Sequence, residues 1–419
     1  MRAVTSVCLA AVAAGLLLLP RSAAAQSQPD AQTLQQQIDQ LKKDFGERIA
    51  ALEAKLAEAQ APPQVPAAAP SPLPTPEPGA PAQASAASGS KFFNPDMAVI
   101  GNFLGAAGHN EVNPSPALEM RESEVSLQAI VDPYARADFF IAFGEEGVEL
   151  EEGFATLTSL PGALQAKVGK MRAAFGKVNT LHAHVVPWAD RPLVINNLLG
   201  GEEGLSDAGV SLARLIPIGN VFVEATGQVF RGDTADEGLY KSSQPGDLSY
   251  VGHLRSYFDL TESSNLDFGA SYSQGHNAAG VVDDVDLGRF TTQLFGVDAT
   301  FRWRPLTRAI YHQFVARTEY IRSHREQVDA LQKADGFYVS GDYQFARRWW
   351  MGGRLDQSER AYDTSLLDRG QSFSLTYMPS EFSQLRGQYR HTAYGHGPTA
   401  HEFLMQFQFA IGAHGAHPF

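Results

Sequence analysis

The sequence holds a single cysteine, Cys8, and it lies inside the first apolar run. A disulfide framework and a thiolate metal site are therefore excluded for everything downstream. Long apolar runs are missing too. Beyond Leu19 no stretch reaches the roughly 20 residues that a membrane helix needs. Nor is there a basic cluster: with Arg2 and Arg21 set aside, 31 of the 33 Lys and Arg remain against 46 Asp and Glu, a net charge of −15. An acidic chain without a basic face is expected to have no nucleic-acid partner. No Gly-x-Ser-x-Gly elbow occurs, and no acidic pair has a committed histidine, so no catalytic residues and no cofactor are assigned.

What is present starts with an export leader. Arg2 supplies the positive end, Val7 to Leu19 the apolar run, and Ala23-Ala24-Ala25 the small residues before Gln26. That order reads as a signal peptide over residues 1–25. From Leu34 the apolar positions continue as Ile38, Leu41, Phe45, Ile49, Leu52 and Leu56, with polar residues on the other faces. This heptad seam, with one stutter at Phe45–Ile49, predicts a short periplasmic coiled-coil helix within residues 26–60. A solitary amphipathic helix is the alternative for so short a seam. Residues 61–92 are dominated by Pro, Ala and Ser and read as an extended linker.

From residue 93 to 419 the period changes to two. In the last segment Phe403, Met405, Phe407, Phe409 and Ile411 alternate with Leu404, Gln406, Gln408, Ala410 and Gly412. One face suits lipid and the other a polar lumen. The alternation recurs in sixteen segments, near 96–106, 119–131, 135–145, 150–158, 163–173, 207–216, 220–231, 248–261, 264–275, 290–304, 309–323, 335–346, 349–360, 370–379, 382–394 and 401–413. Short links such as 132–134, 160–162, 217–219 and 305–308 alternate with longer polar ones at 232–247, 276–289 and 324–334. The fold class expected is all-β, a transmembrane antiparallel β-barrel of sixteen strands. Its surroundings would be outer-membrane lipid and lipopolysaccharide. Phe419 shares the parity of Phe403 to Ile411 and resembles the terminal aromatic that such proteins present to the barrel assembly machinery.

One connection stands apart. Residues 174–206 carry Val178, Leu181, Val185, Val186, Trp188, Leu193, Val194, Ile195, Leu198 and Leu199, too apolar to wave in water. They are expected to fold back into the barrel. The stretch Val168-Gly169-Lys170-Met171-Arg172-Ala173-Ala174-Phe175-Gly176-Lys177, followed by Asp190-Arg191-Pro192, resembles the strand-to-loop region of phosphate-selective-type outer-membrane porins. Gly201-Glu202-Glu203-Gly204-Leu205-Ser206-Asp207-Ala208-Gly209-Val210 is similar to a block in uncharacterised relatives of that group, some labelled zinc-regulated outer-membrane receptor. The resemblance covers residues 95–215 and the last strand, and implies a homotrimeric sixteen-stranded channel whose third external loop narrows the lumen. The acidic balance and the lack of a Lys-rich funnel depart from the phosphate-selective pattern, so phosphate is not carried over.

The expected function is thus a porin passing small hydrophilic solutes or ions by diffusion. The loop would offer Lys177, His182, His184, Asp190, Arg191, Glu202 and Glu203 to the pore. The alternative is that Asp190 and Arg191 pair with each other or with the wall only to pin the loop. By parity the wall would turn inward Arg255, Arg302, Arg317, Arg354, Arg386 and Arg390, with the acids Glu122, Glu124, Asp138, Glu224, Asp267 and Asp342. Arginines concentrate in the second half and acids in the first, which would set a transverse field across the pore. The other function weighed is zinc or nutrient uptake through His182, His184, His414 and His417. With no carboxylate close in sequence to either histidine pair, no metal site is assigned. A solvated loop is the reading for Asp283, Asp284 and Asp286.

Overall fold

Strand alternation works by placing successive side chains on opposite faces, and here it closes on itself. The computed structural model describes residues 95–412, apart from 146, 220, 235–238, 242–243, 283–284 and 287–288, together with Lys43. The leader, the coiled-coil segment apart from Lys43, the whole linker, His414, His417, Phe419, Asp283 and Asp284 lie outside the described residues. The chain divides into residues 1–85 and 86–419, and the barrel belongs to the second unit.

The strands are β1 (Asp96–His109), β2 (Leu118–Asp132), β3 (Ala135–Gly144), β4 (Gly147–Leu160), β5 (Leu164–Arg172), β6 (Ser206–Ile218), β7 (Val221–Phe230), β8 (Ser249–Thr261) and β9 (Ser264–Asn277). A two-residue pair, β10 (Val281–Val282) and β11 (Val285–Asp286), sits in the next connection. There follow β12 (Phe290–Trp303), β13 (Gln313–Glu326), β14 (Leu331–Ala346), β15 (Trp349–Arg360), β16 (Asp363–Ser380), β17 (Ser383–Ala393) and β18 (Thr399–Gly412). All but β10 and β11 form one closed antiparallel barrel of sixteen strands, sealed where β1 pairs with β18. Closure leaves no unpaired edge, the condition for crossing a bilayer with strands.

Period two governs the wall. Along β18, Phe403, Met405 and Phe407 face outward and exposed, while Leu404 and Gln406 are buried inside. Phe139, Leu254, Phe268, Val339, Leu355, Phe373 and Tyr389 extend the outward apolar belt around other strands. The connections at one end are short: 133–134, 161–163, 219–220, 262–263, 347–348 and 381–382. Three expected connections change length most. The one between the segments 349–360 and 370–379 shrinks to 361–362, because β16 begins at Asp363. The link read as 324–334 shrinks to 327–330, because β13 and β14 keep pairing as far as Glu326 and Leu331. The turn read as 305–308 widens to 304–312, where Arg308 takes a left-handed conformation at φ 64°.

The third connection at the other end, 173–205, is the long one. It contains a 3-10 turn, Val178–Thr180, and a short helix, α1 (Leu193–Leu198), which starts after Pro192. Proline is suited to a helix entrance because its missing N–H has no partner to lose there. Phe175, Val178, Val186, Trp188, Val194, Ile195, Leu198, Leu199 and Leu205 are buried with Phe154, Phe230, Leu294, Ile321 and Tyr338 of the wall. The hydrophobic core of this chain therefore lies inside the barrel, between loop and strands.

Candidate functional site

The loop is closed at its root by one amide. Asn179, fully buried, donates from Nδ2 to the carbonyls of Ala173 and Leu205, both at 2.9 Å, and accepts from the Leu205 N–H at 2.8 Å. Gly204 has φ 64°, and a Cβ there would meet Asn179 Oδ1, so only glycine fits against the clamp. Beyond the root the chain crosses to the far wall. Gly176 N–H donates to Ser271 Oγ on β9 at 2.9 Å, and Val178 N–H donates to Glu319 Oε1 on β13 at 2.7 Å. Trp188 meets Tyr338 of β14 edge to face, centroids 5.3 Å apart, and the Arg354 guanidinium lies 4.8 Å over its ring. Ala189 N–H donates to Gln388 of β17, Leu193 N–H to Asp356 of β15, and Asn197 to Asp368 of β16. A segment fastened to strands this far apart spans the lumen.

The predicted loop residues do different jobs. Asp190 does not pair with Arg191. It accepts from Arg354 at 2.9 Å, Arg390 at 3.0 Å and Gln388 at 2.5 Å. Burial pushes its carboxyl up, but the two guanidiniums win and hold it below the usual carboxylate range. Arg191 instead donates to the carbonyls of Val178 and Leu181 inside the loop, and burial pushes it down to about 10. Lys177 reaches Asp267 at 3.1 Å; burial, then Arg255, lowers its ammonium below the ordinary value while Asp267 opposes them. Glu202 is held by Arg121 at 2.8 Å and remains exposed. Glu203 lies 3.8 Å from Arg172, and burial raises its carboxyl despite that neighbour.

On the wall, the arginines are not an unopposed positive half. Arg317 pairs with Asp342 at 2.7 Å, Arg354 with Asp356 at 2.7 Å and Arg390 with Glu402 at 2.6 Å. Arg255 and Arg302 both face Asp267, at 2.6 and 3.8 Å. Arg386 donates to Gln406, Thr376 and the Val186 carbonyl. Asp138 takes Arg136 at 2.6 Å, and Glu224 sits opposite Arg255 in the β7–β8 register. Arg255, Arg302, Arg317, Arg354 and Arg390 thus each have a carboxylate beside them, and parity counted Arg354 and Arg390 without Asp356 and Glu402.

Charge of one sign gathers elsewhere, where the loop meets β2 and β4. His182 Nδ1 lies 2.6 Å from Glu151 and 3.0 Å from Glu124, and its Nε2 lies 2.8 Å from Glu152. Burial opposes protonation of this imidazole, but the three carboxylates override it and hold His182 well above the usual histidine value. His184 Nδ1 is 3.7 Å from Glu122 and 3.6 Å from Glu124. Two buried triads, Glu122–Glu124–His184 and Glu124–Glu151–His182, each bring one ligand atom per residue within 4.8 Å of the others. The sequence reading found no carboxylate near these histidines because the partners come from strands more than twenty residues away. It missed Glu151 and Glu152 altogether. In β4 the register slips so that Phe140 faces Glu152 and Ile141 faces Leu150, leaving Glu151 as the extra residue of a bulge. A bulge breaks period two and turns consecutive side chains to one face. A second slip, between Asn102 and Phe103, leaves Arg121 extra in β2.

Comparison with solved structures places this architecture. The anion-selective porin of Comamonas acidovorans matches with a TM-score of 0.54 at 9% identity over 76% of this chain and 99% of that one. OprB of Pseudomonas putida matches at 0.54, 10% identity, 76% and 94%. The trimer form of OmpT, an outer-membrane protein of Vibrio cholerae, matches at 0.50, 9% identity, 76% and 99%. At these identities the likeness is one of fold. No family model matches the sequence. An uncharacterised protein of Aquifex aeolicus is 30% identical over 351 residues, 75% of this chain and 73% of that protein. The chain therefore belongs to the family of that Aquifex protein, and its own fold is the barrel seen in those outer-membrane porins.

Proposed function

We propose that the chain is a porin of the bacterial outer membrane, through which small hydrophilic solutes or ions diffuse passively, with residues 173–205 narrowing the lumen. The observation that carries this is the loop itself, fastened by hydrogen bonds to β9, β13, β15 and β17 across the barrel. An apolar belt outside and polar side chains inside give lipid one face and water the other. Arg255, on the wall beyond the loop, keeps a half-exposed guanidinium beside Asp267. Near the short-turn end an open cavity of about 640 Å³ is lined by Tyr257, Asp259, Asn265 and Arg304. Ion pairs along the lumen, Lys177–Asp267–Arg255 among them, present both signs to a passing solute.

The test is electrical. Purified protein in planar bilayers is expected to give stepwise conductance, and deletion of residues 180–200 to enlarge each step. Wall charges exposed by the deletion face water, so the closed barrel survives it. Silence of both proteins in the bilayer contradicts the channel reading. The uptake alternative rested on four histidines; the two described, His182 and His184, are buried at the loop–wall junction, which suits a fixed role better than passing cargo.

A further inference from the structure

We infer that Glu122, Glu124 and His184 hold one divalent first-row transition-metal ion, which fastens the constriction loop to β2. The distances support it first. His184 Nδ1 stands 3.7 Å from Glu122 Oε1 and 3.6 Å from Glu124 Oε2. Those separations are too long for hydrogen bonds. They match the edge of a coordination tetrahedron, roughly 3.4 Å when metal–ligand bonds are about 2.1 Å. In contrast, His182 sits at hydrogen-bonding distance from its three carboxylates, as a residue that orients ligands rather than one that binds the ion.

The second support is Glu122. Its side chain is 7% exposed, and neither of its oxygens receives a hydrogen bond from an N–H or hydroxyl donor. It faces the Glu151 carboxyl, which is another acceptor. A buried carboxylate left in that position is costly unless a cation stands beside it. Local cations do not suffice. Arg172 serves Glu151 at 3.3 Å, and Arg121 is committed to Glu202 and the Ala189 carbonyl. Four carboxylates, Glu122, Glu124, Glu151 and Glu152, thus crowd one corner of the barrel where the loop meets β2 and β4, with Arg172 the guanidinium paired to Glu151 there.

The donor chemistry selects the ion class. Imidazole nitrogen with carboxylate oxygen, and no sulfur, suits zinc or manganese better than copper(I), and the histidine disfavours calcium and magnesium. Two ligands come from one strand, two residues apart on its inner face, and the third from the loop. Binding therefore ties the loop to the wall, whichever solute the channel passes.

Full-length protein, stripped with chelator in detergent, would be titrated with zinc and with manganese and its metal content measured by elemental analysis. One ion per chain is expected. Glu122→Gln and His184→Asn should each weaken binding at least tenfold, while His414→Ala with His417→Ala leaves it unchanged. Zinc-edge X-ray absorption on the wild type, which needs no variant to fold, should show a shell of nitrogen and oxygen with imidazole scattering. Absence of saturable binding by either metal overturns the inference. So does binding lost with His414 and His417, or a shell without imidazole.

Discussion

Asp190 shows how one carboxylate can fix a loop. Arg354 and Arg390 come from different strands, and their charges meet only on this side chain. Removing it takes the shared carboxylate from two guanidiniums, which then keep only Asp356 and Glu402, a loss of about 2 kcal/mol once hydration of the lumen is allowed for. Asp190→Asn keeps the shape and isolates the charge. Hydrogen exchange of the loop amides in the variant is expected to run roughly thirty-fold faster at neutral pH. The pH dependence follows from the direction of the shift. The folded carboxyl lies below its free value of about 3.9, so its contribution is complete above that pH and is lost only as pH falls through the folded value. The difference between wild type and variant should therefore stay constant from pH 8 down to about 4 and shrink below. A difference that vanishes between pH 7 and 5 contradicts this assignment. Of the two partners the sequence leaves open for Asp190, Arg191 or the wall, the structure takes the wall. Adjacent loop residues point to opposite sides, and here one faces the wall and the other the loop interior.

At the scale of elements, the loop is a folded unit with its own clasp. Asn179→Ala removes three hydrogen bonds at the root and leaves the Leu205 N–H buried without its acceptor, at a cost of about 2 kcal/mol. The barrel should still close, since none of its strand pairings involves Asn179. The expected outcome is a channel of wild-type thermal stability with noisier, larger conductance steps; an unchanged current trace would show that the clasp does not govern the constriction. The strands and this loop were legible in the sequence for a physical reason. Alternation is a property of the backbone, and an apolar run in a connection has to be buried somewhere. The histidine–carboxylate cluster was not legible, because it depends on two register slips. Glu151 and Arg121 break alternation as the extra residues of bulges, and nothing in the local sequence marks them as such. The available signal was Glu122 and Glu124 in one short stretch and Glu151 and Glu152 in another, and it became meaningful only once β2, β3 and β4 were seen side by side.

For the whole molecule, the prediction is a homotrimer joined by its N-terminal segments. The sequence from Leu34 to Leu56 carries seven apolar positions at heptad spacing, and the strand pairings of the described residues lie between Asp96 and Gly412. A three-heptad seam is too short to pair between free chains. Barrels lying side by side in a membrane change that, because tethering raises the local concentration of their helices to about millimolar. The Pro-rich stretch of residues 61–92 is long enough for helices from neighbouring chains to converge. Mixed Ile and Leu along the seam do not themselves choose three strands over two, so the number is set by how the barrels pack. Deleting residues 26–60 should leave a folded barrel, with the heat-dependent gel mobility of the wild type, but shift the species in mild detergent from trimer toward monomer. Cross-linking and mass measurement of both proteins decide it. A wild-type protein that is monomeric in mild detergent removes the basis for the proposal. A truncated protein as firmly trimeric as the wild type shows that the barrels alone hold the assembly.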